Sequence, residues 1–139
     1  MYCGVFTHYH NLSPNIPQDS PLYKIGLFHG PIEGASNDFG FVFTDGYSVD
    51  RFTGCDVVLA GDIHKKQTFN VPGNKKAYMV GSMIIQNFGE SIKNHGYGVY
   101  NVDTQKYKFF NLDNTQPYLN FRITDIEDLE NEKEILING

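Results

Sequence analysis

Tryptophan is absent from the 139 residues, and cysteine occurs only twice, at Cys3 and Cys55. Two distant cysteines outside any C-x-x-C pairing exclude a disulfide scaffold and a thiolate zinc cluster. Both are expected as reduced core thiols of an intracellular protein. No apolar run approaches the ~20 residues that a membrane-spanning helix requires, so no span is expected. The first residues carry no basic segment followed by an apolar one, so no secretory signal is expected either. Positive charge is scarce: 11 Lys and Arg stand against 16 Asp and Glu, for a formal net charge of −5. A chain of that sign does not draw nucleic acid by its overall field, and any phosphate binding has to be local. Repeats, low-complexity tracts and linker-like stretches are lacking as well.

What is present suits a packed domain. Hydrophobic residues make up 40% of the chain and aromatics 14%, too many for a disordered segment. The length allows one domain, or a piece of one, with a real core. Residues 56–60 form a short apolar run, β-branched at Val57 and Val58, as in a strand buried on both faces. Gly61 ends it, and Asp62 and His64 follow at a spacing of two. If the chain stays extended there, both side chains point the same way, off the carboxyl end of a central strand. Open α/β sheets place their chemistry at such ends. A carboxylate beside an imidazole suits manganese, iron or zinc, although a capping Asp beside a surface His would read the same.

Along the chain, residues 2–6 read as a strand. His8 and His10 repeat the spacing of two, but Asn11, Ser13, Pro14, Pro17 and Pro21 make the segment a loop, and exposed loop histidines are the reading. Residues 23–28 read as the next strand, stopping at His29-Gly30-Pro31. That turn holds His29 at a strand end, so two strand ends offer three ligands: His29, Asp62 and His64. Residues 34–45 are Gly- and Asn-rich loop, with an aromatic stretch at 39–43 that reads as a strand or a packed flap. Residues 46–52 suggest a short helix. Lys65 is placed to meet a phosphate, as is Lys66, with solvated turn lysines as the alternative. Pro72-Gly73-Asn74 marks a turn, and residues 77–80 another strand.

The stretch 81–90, Gly-Ser-Met-Ile-Ile-Gln-Asn-Phe-Gly-Glu, is more specific than a plain helix needs. Its other reading is a packing turn whose amides satisfy buried backbone. Residues 97–102 and 106–112 alternate as a hairpin around a turn at 103–105, and residues 119–123 read as one more strand. The tail 126–139 is acidic, with Glu127, Asp128, Glu130, Glu132 and Glu134, and is expected to be solvated.

Three motifs in order carry a resemblance: Gly-Leu-Phe-His-Gly-Pro at 26–31, Val-Leu-Ala-Gly-Asp-Ile-His-Lys-Lys-Gln at 58–67, and the 81–90 stretch followed by His95-Gly96-Tyr97. Together they resemble the second half of a calcineurin-like metallophosphoesterase, and most closely the SbcD-like DNA-repair nucleases of bacteriophage type. The motifs cover residues 24–100, and a looser likeness extends to 125. The resemblance implies a β-rich α/β fold: the second half of a four-layer β-sandwich with few short helices. Residues 1–125 would form the partial domain, ahead of the acidic tail at 126–139. It implies a two-metal manganese site for phosphodiester hydrolysis, with His29, Asp62 and His64 as ligands and Ser82 and Glu90 as support. His29 matches the family's isolated histidine, and His64 the last histidine of Gly-His-x-His. Asp62 replaces the first histidine of that motif, which makes the site more anionic.

The family's Asp-x-His, Gly-Asp and Gly-Asn-His-Asp motifs are missing from this chain, so no catalytic residue is expected within it. The expectation is a carboxyl-terminal half that is inactive alone. Completed, it would cut DNA in the cytoplasm of a host cell, beside an SbcC-type ATPase. A non-catalytic assembly module and a phosphatase of small substrates are the alternatives. An open sheet face also predicts a homo-oligomer or pairing with an amino-terminal half.

Overall fold

The computed structural model describes residues 1–6 and 14–113. Among them, seven strands run in the order β1 (Tyr2–Phe6), β2 (Lys24–His29), β3 (Val57–Gly61), β4 (Gln67–Val71), β5 (Lys75–Met79), β6 (Gly96–Asn101) and β7 (Lys106–Asn111). The one helical turn among the described residues is a 3₁₀ turn at Val49–Phe52, capped by Ser48, whose hydroxyl accepts the Asp50 N–H. The described residues are therefore β-rich. Their main sheet has the order β1-β2-β3-β5-β4, and β6 and β7 form a separate antiparallel pair. β1, β2, β3 and β5 run parallel, and β4 is antiparallel on β5.

The pleat sorts the sheet into two unlike faces. Phe6, Phe28, Val58, Ala60, Ala77 and Met79 point to one side and are buried. They meet Ile32, Ala35 and Phe52 from the long β2–β3 connection. Phe52 is the keystone there: its ring meets Phe6 at 5.1 Å and Phe28 at 5.2 Å, edge-on in both cases. Such contacts add about 0.5–1.5 kcal/mol each beyond the area they bury. Gly26 has a packing reason, since a Cβ there would meet Phe6, Cys55 and Val58 at 3.0–3.2 Å.

On the opposite face the register lines up Val5, Leu27, Leu59 and Tyr78 across the four parallel strands. The β6–β7 hairpin covers the Tyr78 end. Tyr107 stacks on Tyr78 at 4.0 Å, and Tyr100 shares a 2.5 Å hydroxyl contact with Tyr23. Val5 and Leu27, at the β1–β2 end, stay exposed.

Several sequence expectations change here. Cys3, expected in the core, is exposed, because Gly4 and Phe6 take the inward pleat of β1. Cys55 is buried, and burial pushes its thiol up to about 11. Strand β4 occupies residues for which the sequence pattern suggests no strand. Residues 39–43 form no strand and belong to a flap closed by isolated bridges, Ile32 to Tyr47 and Ser36 to Val42. His8, His10, the strand expected at 119–123 and the acidic tail at 126–139 lie outside the described residues. Among the described residues, no helix is long and apolar enough to cross a membrane.

Candidate metal centre

β2 and β3 are hydrogen-bonded neighbours, with His29 opposite Gly61. Their carboxyl ends therefore bring His29 and Asp62 together although 33 positions separate them in sequence. The Gly30 N–H donates to the Gly61 carbonyl at 3.2 Å and closes this end of the ladder. His29 Nδ1 lies 3.9 Å from Asp62 Oδ1, and both side chains are open to solvent, at 80% and 37% exposure. Two donors that bind one ion at about 2.1 Å stand between ~3 and ~4 Å apart, so this pair fits a shared divalent cation.

Beyond Gly61 the chain bends instead of staying extended. Asp62 has φ +106, a conformation that costs a non-glycine residue about 1–3 kcal/mol. Ile63 turns into the core, and His64 emerges beyond it. The spacing of two thus acts through a bend braced by a buried isoleucine. Among the described residues, no group of three His, Cys, Asp or Glu side chains is gathered as one metal cage. His64 accordingly stands apart from the His29–Asp62 pair, although one cleft of about 480 Å³ is lined by all three together with Ser82.

His64 is held by Glu90. Its Nδ1 lies 2.6 Å from Glu90 Oε1, and the glutamate side chain is only 7% exposed. The Gln86 N–H donates to Glu90 Oε2 at 2.9 Å and the Asn87 amide to Oε1 at 2.7 Å. Burial works to raise the carboxyl's pKa, but the hydrogen bonds from His64 and Gln86, with the nearby imidazoles, outweigh it and hold the group below its ordinary value. An ionised carboxylate only accepts, so Nδ1 carries the hydrogen, and in the neutral ring Nε2 keeps its lone pair. The free nitrogen is the one suited to a metal.

Ser82 acts from behind. Its N–H donates to the His64 carbonyl at 3.0 Å, and its carbonyl accepts from the Gly96 N–H at 3.1 Å. Its hydroxyl lies 2.9 Å from Nδ1 of the buried His95, whose Nε2 reaches the Ser91 carbonyl at 2.5 Å. A carbonyl accepts only, so Nε2 donates there, and in the neutral ring Nδ1 accepts the Ser82 hydroxyl. Ser82 is a brace for the turn, with its hydroxyl already engaged by His95.

Lys65 Nζ donates to Ser36 Oγ at 3.1 Å and to the Asn37 carbonyl at 3.4 Å. It ties down the flap while lining two clefts that His64 also borders. Gln67 completes that tie: its amide accepts from the Ser36 N–H and donates to the Ser36 carbonyl, both at 2.8 Å. Lys66 places its ammonium 3.9 Å over the Phe109 ring. Sequence reasoning assigned no site role to His95 or Gln67. Gln67 lies within the 58–67 motif and His95 opens the His95-Gly96-Tyr97 part of the third motif, which was the one signal for each.

No protein-family model matches the chain. It is similar to an uncharacterized protein of Acanthamoeba polyphaga mimivirus, 31% identical over 109 residues that cover 78% of this chain. The chain spans about 8% of that relative's length.

Proposed function

We propose that the chain is the carboxyl-terminal half of a metal-dependent phosphodiesterase of the calcineurin-like, SbcD-like type, acting on DNA. The observation that carries this reading is the convergence of His29 and Asp62 at adjacent parallel strand ends, with His64 turned toward the same cleft by Glu90. In this reading the main sheet is the second sheet of a four-layer sandwich, and the exposed Val5–Leu27 end of its outer face is where the first sheet packs. The partner half supplies the remaining ligands and the proton donor, and an SbcC-type ATPase works beside the completed enzyme.

His29, Asp62 and His64 would hold their share of a manganese pair. Bound there, the pair would supply Lewis acidity for phosphodiester hydrolysis. The chain's own contribution is orientation. Glu90 fixes the His64 tautomer, Ser82 and His95 fix the backbone behind it, and the strained Asp62 aims its carboxylate at the His29 side of the cleft. Three donors without the rest of a two-metal set bind weakly, because charge balance and bridging carboxylates are lacking.

Calorimetric manganese titration of the chain and of His64→Ala, with cleavage of single-stranded DNA followed in parallel, tests this reading. The expected result is weak binding that falls further in the variant. Cleavage should be absent until a polypeptide bearing Asp-x-His and Gly-Asn-His-Asp is added. Tight binding with cleavage by the chain alone would overturn the half-enzyme reading. Manganese binding indifferent to His64→Ala would overturn the site.

A further inference from the structure

The flap that Lys65 and Gln67 tie down presents Phe39 at its tip. Residues 37–41 close on themselves: the Asn37 N–H donates to the Phe41 carbonyl at 3.0 Å, and the Phe41 N–H donates to Asn37 Oδ1 at 3.0 Å. Phe39 sits at the apex, 75% exposed. Its ring tip rests on Gly89, where a Cβ would collide with it. The flap is fastened a second time by the Ser91 N–H, which donates to Asp38 Oδ2 at 3.0 Å. An aromatic ring this exposed gains little for the fold, yet it is held on a braced turn. It lines a cleft of about 180 Å³ that also reaches Asp62, His64 and Glu90.

A second cleft, of about 200 Å³, also reaches His64 and is lined by Lys65, Lys66 and Lys93. Asp38, His64 and Lys65 border both clefts, so the two adjoin at the imidazole. Asp38 is turned toward Ser91. In a chain of net charge −5, three lysines gathered beside a candidate phosphodiesterase centre, with one presented aromatic ring in the adjoining cleft, match a specific ligand chemistry. A polyanion strand meets the lysines, and a flat base meets the ring.

We propose that the two clefts form one track for single-stranded nucleic acid. One base stacks on Phe39, and the adjoining backbone phosphates run past Lys65, Lys66 and Lys93. Clefts of this size admit single nucleotides and not a double helix. A ring that accepts any base by its π-face gives binding without sequence preference, as on other aromatic platforms for single strands. The inference takes its substrate class from the function proposed above, but its test is independent of metal.

The chain has no tryptophan, so Phe39→Trp places a single reporter at the platform. Titrating this variant with oligodeoxythymidine should quench its emission, and an abasic strand of equal length should not. Fluorescence anisotropy on the wild type should show the base-bearing strand bound about tenfold more tightly than the abasic one, within the range for one stacked base. Phe39→Ala should remove that difference. Lys93→Glu should weaken both strands alike. The Phe39 ring is exposed, so the fold is expected to survive these changes. Manganese binding should be unchanged in all of them.

Equal affinity for the two strands, absence of quenching, a preference for duplex, or no binding of either strand would each overturn the track. Loss of manganese binding with the base preference intact would sink the metal centre and leave the track standing.

Discussion

Glu90 is the residue on which the candidate centre most depends, because it decides which His64 nitrogen faces the cleft. Glu90→Ala leaves the His64 Nδ1–H and the Gln86 N–H without their shared acceptor. A loss of about 1–2 kcal/mol is expected, since a charged acceptor is lost but water reaches both donors. Glu90→Gln keeps the shape and one acceptor, and should cost about 1 kcal/mol. Chemical denaturation measures both. Nitrogen NMR of His64 gives the readout that simple destabilisation would not move: the wild type should hold the hydrogen on Nδ1, and Glu90→Ala should shift it toward Nε2. The pH dependence follows from the depressed carboxyl. A group whose folded pKa lies below its unfolded value near ~4.3 contributes in full above that value and loses its contribution as pH falls through the lower one. The stability gap between wild type and Glu90→Gln should therefore be constant at neutral pH and close in acid below about pH 4. A gap that widens in acid would mean that the pair does not stabilise the folded state as an ion pair.

At the scale of elements, the β3–β4 loop and the turn at Gly81-Ser82 lock backbone to backbone. Gly81 has φ +79, and a Cβ there would lie 2.6 Å from the His64 carbonyl and 3.0 Å from the Lys66 nitrogen. Neither is a flexible side-chain end. Gly81→Ala should cost the strain of the positive φ, about 1 kcal/mol, plus the displacement of His64. The expected total is about 2–4 kcal/mol by denaturant titration, with weakened manganese binding even in the folded fraction; a change under 0.5 kcal/mol would show that the two segments are not in contact. The same pair of segments shows what a sequence conveys. β2 and β3 are legible because Val57, Val58, Leu59 and Phe28 crowd apolar residues into short runs ending at glycine and histidine. The strand ends therefore announced His29, Asp62 and His64. β4 was hidden because Gln67, Thr68 and Asn70 are polar, leaving only Phe69 and Val71 to turn toward the core, as in an edge strand. The bond between Glu90 and His64 spans 26 positions through a loop without periodicity, so no spacing argument reaches it. Resemblance implied that Glu90 supports the site; its partner is visible only once the chain is folded.

At the scale of the whole molecule, the unequal covering of the sheet's two faces matters most. The inner face is closed by Ile32, Ala35 and Phe52, and the hairpin's tyrosines close one end of the outer face. At the other end Val5 and Leu27 remain exposed beside Cys3, on β1 and β2, and among the described residues β1 is the outermost strand of its sheet. An apolar row next to a strand edge is what another sheet or another copy would cover. Light scattering should therefore find this chain alone as a dimer or larger. The double variant Val5→Lys and Leu27→Glu should shift it to monomer without changing its circular dichroism, because neither side chain points into the core. Adding the proposed amino-terminal half should compete with self-association, since both claims fall on the same row. A wild-type chain that is monomeric at high concentration would mean that the row needs no cover, and it would remove the main physical reason for expecting a second sheet at this face.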